Sequence, residues 1–135
     1  MEPAVVDYIA EEGEKGNCDV AVLELGINVL GWEEEQILKR VTNVLAQVAG
    51  RNPEKPVFVI SPFYCHDDYE KQGRAALWRR LIEAVIRERK DPNVTYINGL
   101  DLLGDMSLIS ADEVHPNIYG VHGIAERLTE RMREN

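Results

Sequence analysis

Little in this sequence points toward cross-links, polyanions or membranes. Only two cysteines occur in 135 residues, Cys18 and Cys65. Two thiols make no disulfide framework. Each adjoins an apolar segment, which reads as buried free thiols in a reducing, cytoplasmic setting. Basic residues are also scarce: 15 Lys and Arg face 24 Asp and Glu, for a formal net charge of −9. A nucleic-acid binder needs a basic face, so none is expected as a partner. An anionic membrane surface is disfavoured for the same reason. No apolar run approaches the ~20 residues of a membrane helix. No basic start leads into the apolar core of a signal peptide. Gly-x-Gly-x-x-Gly, a phosphate loop and Cys-x-x-Cys are all absent, so no cofactor is expected.

What is present suits one globular domain over residues 1–135, with 44% hydrophobic residues to build its core. Residues 2–12 read as a helix, with Pro3 in its first turn and Val5, Val6, Ile9 and Ala10 as its apolar stripe. Met1 therefore stands almost on a helix start, an abrupt opening for an α/β domain. Residues 19–25 are short, apolar and bounded by Gly26, the pattern of a buried parallel strand, with Glu24 needing a partner if buried. A loop over 26–31 leads to a long helix over 32–49, with Ile37, Leu38, Val41, Val44, Leu45 and Val48 as its core face. A second strand at 57–60, a loop at 61–68 and a helix over roughly 69–90 follow. The third strand is at 94–97. An irregular stretch over 98–111 then leads to a final helix over 117–133, its inward stripe Ile118, Val121, Ile124, Ala125, Leu128 and Met132.

About three strands alternating with four helices imply a parallel α/β sheet with right-handed crossovers and helices on both faces. Ligands bind such sheets at the carboxyl ends of the strands. The loops there carry Asn28, His66, Asp112 and His115. In Asp112-Glu113-Val114-His115-Pro116 a carboxylate stands three residues before a histidine, a spacing that puts both side chains on one side of a turn. The carboxylate can hold one ring nitrogen while the other faces a cleft, the base-and-orienter half of a nucleophilic triad. A polar loop before a helix is the competing reading of the same string. Asn28 follows a strand and a glycine. It can donate to a developing oxyanion, or serve only as a turn residue. Gly26 and His66 are the remaining pocket candidates. His66, Asp67 and Asp68, even with His115, match no closed ligand set, so no metal is expected; Asp67 or Asp68 is expected to cap the next helix. His122 is expected to lie outside the chemistry. Tyr64, Trp32 and Trp78 can line a pocket, though aromatics at such positions more often belong to the core.

Residues 19–25 followed by Gly26-Ile27-Asn28, together with Asp112-Glu113-Val114-His115-Pro116, resemble the SGNH (GDSL-type) esterases and acylhydrolases, over essentially the whole chain. The resemblance implies a three-layer flavodoxin-like fold. It implies Asn28 as an oxyanion-hole donor, His115 as general base and Asp112 as its partner. Val29 stands where the family commonly has Asp. The family's Gly-Asp-Ser segment, which carries the nucleophile, has no counterpart here. Ser61 is followed by Pro62, which precludes a nucleophile elbow, and Ser110 reads as a turn residue. The resemblance thus implies a domain incomplete at its N-terminus, whose first strand would lie against residues 19–25. Without it, an open edge invites self-association.

Besides a flavodoxin-like α/β domain of another function with a chance Asp–His pair, two function classes remain open. One is a serine-type ester hydrolase, a GDSL-like lipase, acylhydrolase or carbohydrate esterase acting on a small acyl ester, inactive or incomplete as this chain. The other is a non-catalytic α/β binding or interaction module that uses His115 and Asn28 for recognition.

Overall fold

A computed structural model describes residues 2–134. Three short strands, β1 (Ala21–Glu24), β2 (Val57–Ile60) and β3 (Val94–Ile97), form a parallel sheet in the order β1-β2-β3. The register runs Val22↔Phe58 and Phe58↔Thr95. All four β2 residues are buried, as expected for a central strand covered on both faces. The helices are α1 (Pro3–Glu14), α2 (Glu34–Arg51), α3 (His66–Tyr69), α4 (Arg74–Arg89), α5 (Gly99–Leu102) and α6 (Ile118–Arg133).

Strand alternation divides the core into two layers. Leu23, Val57 and Val59 point to one face, where they pack with Val6 of α1, Ile37, Val41 and Leu45 of α2, and Trp78 and Ile82 of α4. Phe58 and Ile60 point the other way and meet Ile97 and Leu102, over which Ile124, Leu128 and Met132 of α6 are laid. The result is a three-layer α/β fold with α1, α2 and α4 on one face and α5 and α6 on the other.

The helix expected over residues 69–90 starts only at Arg74, and the end of the expected loop forms a separate short helix, α3. A turn of left-handed backbone at Lys71 (φ 58°) and Gly73 (φ 85°) separates α3 from α4. The cause is Asp67, which is buried and caps α4 from outside it: its carboxylate accepts from the amides of Arg74 (3.3 Å) and Ala75 (2.8 Å). Glu24 needs no buried partner, because the face of β1 that carries it is exposed. The inward stripe expected on α6 is half right. Ile124, Leu128 and Met132 turn inward, whereas Ile118, Val121 and Ala125 are exposed. The described residues place nothing over that flank of the helix.

The loop after β2 is held by a buried guanidinium. Arg79 donates from Nε to the Pro62 carbonyl (2.7 Å) and from Nη2 to the Phe63 carbonyl (2.8 Å), and it forks onto Asp68 at 2.7 and 2.6 Å. The side-chain exposures of the two partners are 6% and 14%. In so dry a place the pair matters more for what its loss leaves behind than for its own attraction. Arg79→Met keeps the volume and strands the Asp68 carboxylate with two carbonyls. It is expected to cost about 3–5 kcal/mol in urea unfolding, whereas Arg87→Met, which removes an exposed ion pair with Glu83, costs under about 1 kcal/mol.

Candidate active site

The Asp112–His115 segment is the tip of a tight hairpin-like loop. Ile109 and Pro116 form an isolated antiparallel bridge, and the Ser110 amide donates to the His115 carbonyl at 2.7 Å. Glu113 closes the turn with φ 61°, a left-handed conformation that costs a non-glycine residue energy and persists only where the surroundings over-determine it. Asp112 does that. Its Oδ1 accepts from the His115 amide (2.9 Å), the Val114 amide (3.0 Å) and the Ser110 hydroxyl (2.8 Å).

That leaves Oδ2 for the ring of His115, whose Nδ1 lies 2.6 Å away. The His115 and Val114 amides, then the ring and Ser110, hold the Asp112 carboxyl well below the usual carboxylate range. An ionised carboxylate can only accept, so Nδ1 carries the proton and donates it. Nε2 is then the ring's basic atom. It has no protein partner among the described residues, on a side chain that is 75% exposed. The carboxylate–ring contact that the three-residue spacing allows is present, whereas the second ring nitrogen faces solvent and not a cleft.

The loop is tied into the fold from three sides. The His66 amide donates to the Glu113 carbonyl at 2.8 Å, and the Tyr64 amide to Leu103 at 2.9 Å. Asn117 caps α6 by accepting from the Tyr119 and Gly120 amides (3.0 Å each), while its Nδ2 donates to the Ser107 carbonyl at 2.8 Å. His66 thus borders the turn by its backbone, and the residue is half-buried.

Asn28 lies in a 3-10 turn, Ile27–Val29, entered through Gly26 at φ 115°. Gly26 is required twice over. Its φ suits few other residues, and a Cβ there would meet Pro62 Cγ at 2.8 Å. The Asn28 side chain is exposed and makes no bond to any described residue. Sequence reasoning missed what holds its loop. Trp78 Nε1 donates to the Val29 carbonyl (3.1 Å), and Arg74 donates to the carbonyls of Leu30 (3.0 Å) and Trp32 (2.6 Å). The Arg74 guanidinium lies 4.9 Å from the centre of the Trp78 ring. The signal was available as two long donors one helical turn apart on α4. Asn28 and the His115 turn sit at the same, carboxyl end of the sheet, after β1 and beyond β3.

Other candidates are spoken for. Asp67 and Asp68 serve α4 and Arg79, and among the described residues no three His, Cys, Asp or Glu side chains converge as metal ligands. Ser61 is fully buried, with Oγ 3.0 Å from the Tyr96 hydroxyl and accepting from the Gly99 amide at 3.1 Å. Cys65 is buried and its thiol is pushed up by that burial; Cys18 is only half-buried. At the end of β1, partial desolvation raises the Glu24 carboxyl above its ordinary value. No described helix is long and apolar enough to cross a membrane.

No protein-family model matches this sequence, and no curated protein does. Solved structures do. A salicylyl-acyltransferase, SsfX3, from a tetracycline biosynthetic pathway superposes with TM-score 0.75 at 21% identity, over 98% of this chain and 41% of that one. A GDSL-like lipase structure from Bacteroides ovatus gives 0.78 at 18%, over 99% and 40%. A carbohydrate esterase family 3 structure from Talaromyces cellulolyticus gives 0.72 at 17%, over 93% and 62%. The chain thus spans about two fifths of the first two and under two thirds of the third.

Two measurements check the site. Arg74→Met keeps a stem over Trp78 but removes both carbonyl donors. Amide exchange over residues 26–32 is expected to quicken by about tenfold, with a global loss of about 1–2 kcal/mol. In the acid range, Asp112 stabilises the turn as long as it is ionised. Because its folded pKa is lowered from 3.8, that contribution is in place above about pH 4 and is lost only as pH falls through the lowered value. The Val114 and His115 amide resonances are expected to stay put down to pH 4 and to move below it; a shift centred between pH 4 and 5 would contradict the assignment. At this level of identity the likeness is one of architecture, and the architecture is that of the SGNH, or GDSL-type, hydrolases.

Proposed function

We propose that this site belongs to a serine-type ester hydrolase and supplies the base and one oxyanion donor. The observation that carries the reading is the 2.6 Å contact of His115 Nδ1 with a carboxylate held ionised, which leaves Nε2 basic and exposed. A serine hydroxyl attacks the acyl carbonyl carbon while His115 Nε2 takes its proton. Asp112 orients the ring and stabilises the imidazolium without taking the proton itself. Asn28 donates to the oxyanion of the tetrahedral intermediate. As the intermediate collapses, His115 returns the proton to the departing alcohol, and water then repeats the sequence on the acyl-serine. The structural neighbours are described as an acyltransferase, a lipase and a carbohydrate esterase. Their common element is an acyl group on oxygen, so a small acyl ester, including an acetylated sugar, is the substrate class.

The described residues offer no suitable hydroxyl. Ser61 is buried and bonded, Ser110 donates to Asp112, and the Ser107 hydroxyl is engaged by Asp105. On this reading the nucleophile comes from polypeptide outside these 135 residues. The same observation favours a second reading for the chain taken alone, a binding module that uses the exposed His115 and Asn28 for recognition.

A fluorophosphonate probe tests both readings. The chain alone is expected to take no label, beside a known serine esterase that does. In a longer polypeptide containing residues 1–135, one serine outside them is expected to be labelled. There His115→Ala should cut turnover by about 10³–10⁴ and Asn28→Ala by about 10²–10³, with folding unchanged. Stoichiometric label at Ser61 or Ser110, lost in His115→Ala, would overturn the external nucleophile. No label on the longer polypeptide would leave the binding module.

A further inference from the structure

We propose that Ser110 is a positioning residue for the Asp112–His115 pair: its hydroxyl sets the carboxylate that sets the ring. The use of this in catalysis rests on the hydrolase reading, whereas the effect on the ring rests on the geometry of the turn.

Ser110 touches the turn with each of its polar groups. Its amide donates to the His115 carbonyl at 2.7 Å, and its carbonyl accepts from the Glu113 amide at 3.0 Å. Its hydroxyl donates to Asp112 Oδ1 at 2.8 Å. The two backbone bonds close the neck of the turn and do not depend on the side chain. The third belongs to the side chain alone. Four donors reach the Asp112 carboxylate: two backbone amides, the His115 ring and this hydroxyl. The hydroxyl is therefore the one support of the pair that the identity of a neighbouring residue decides.

Two physical effects carry that support to the ring. The torsion that turns a carboxylate is broad, so its plane is fixed by its partners and not by its own rotamer. The Val114 and His115 amides reach Oδ1 from residues after Asp112, and the Ser110 hydroxyl reaches it from before. Donors from both sides hold the plane that aims Oδ2 at Nδ1, 2.6 Å away. The second effect is on charge. The His115 amide, the Val114 amide and the ring hold the Asp112 carboxyl low, and the Ser110 hydroxyl adds to them. His115 is the one titratable side chain bonded to that carboxylate among the described residues. The hydroxyl proton is committed on the Nδ1 side of the ring, so Ser110 is not placed to give it to Nε2 as a nucleophile would.

The same loop holds a matched control. Asp105 accepts from the Ser107 hydroxyl and from the Ser107 amide, the latter at 2.7 Å. That pair caps a 3-10 turn, Met106–Leu108, and its carboxylate bonds no histidine among the described residues. A serine–aspartate turn is by itself an ordinary loop device. At Ser110 the other oxygen of the aspartate holds an exposed imidazole, so the same bond acts on a base.

The test uses the full chain labelled with ¹⁵N. At about pH 9, where imidazole is neutral, the His115 ring nitrogens report which of them carries the proton. The Val114 and His115 amides report the titration of Asp112. Ser110→Ala keeps both backbone bonds, and the chain is expected to stay folded. Its Nε2-protonated share at His115 is expected to grow by about threefold or more. Its Asp112 transition, lowered from 3.8 in the parent, is expected to move upward in pH. Ser110→Thr restores both signals, and Ser107→Ala changes neither. In the longer polypeptide, with p-nitrophenyl acetate as substrate, Ser110→Ala is expected to lower kcat by about three- to tenfold at unchanged KM, and Ser110→Thr to recover it. Ring and Asp112 signals unmoved in Ser110→Ala, no recovery in Ser110→Thr, or an equal change in Ser107→Ala each overturns the proposal. Ring signals that respond as expected, in a longer polypeptide with no turnover in any form, support the positioning and count against the hydrolase reading alone.

Discussion

The buried guanidinium of Arg79 ties together the parts of this fold that matter for the site. It reaches from α4 into the loop after β2, where it satisfies two carbonyls and pairs with Asp68. Asp68 in turn accepts from the Cys65 amide at 3.2 Å, which closes the first turn of α3. The next amide, that of His66, bonds the Glu113 carbonyl. A chain of hydrogen bonds thus runs from the core of one layer to the turn that presents His115. Loops on a rigid scaffold are where binding and chemistry concentrate, and here the rigidity is built from a single desolvated charge that makes four hydrogen bonds. Its neighbour on α4, Arg74, acts likewise on the loop of Asn28, so one helix steadies both candidate loops from beneath.

The His115 turn keeps an energetically unfavourable backbone for a chemical reason. Glu113 in left-handed geometry lets the chain reverse tightly enough for one carboxylate to take two amides, a hydroxyl and a ring nitrogen. Two neutral amides and the Ser110 hydroxyl fix Oδ1, so the orientation of Oδ2 toward the ring does not depend on a positive charge on His115. A histidine held this way is set in tautomer before any substrate arrives. Its exposure is the counterpart. The turn provides orientation but no apolar shelter, and a low-dielectric site would have to be completed by whatever lies over Nε2.

Much of this was legible in the sequence, for definite reasons. The three strands are short apolar runs bounded by Gly, Pro and Asn, and their alternation with helical stripes dictates a parallel sheet. Asp112 and His115 announced themselves because a three-residue spacing carries geometric content. The split of α3 from α4 was not legible, because it depends on Asp67 reaching across a left-handed turn to cap a helix it does not belong to. The supports of Asn28 left only a faint mark, two long donors one turn apart on α4, and nothing local says that they reach carbonyls 42 and 49 residues away. The α6 stripe misled in an informative way. Ile118, Val121, Ile124, Ala125, Leu128 and Met132 form too wide an apolar arc for one sheet face, and periodicity cannot say that a helix is asked to pack on two sides.

That excess arc connects the site to the open flank. A helix apolar over one flank covers a sheet; one apolar over two also abuts a neighbour. Ile118 and Tyr119 follow His115 by three and four residues, and among the described residues they are the most exposed large hydrophobics, at 79% and 76%. The same short segment therefore carries the exposed base and the start of the uncovered stripe. Ligands bind open α/β sheets beyond the carboxyl ends of the strands, and at that end β1 leads into Gly26 and Asn28 while the exposed histidine follows β3.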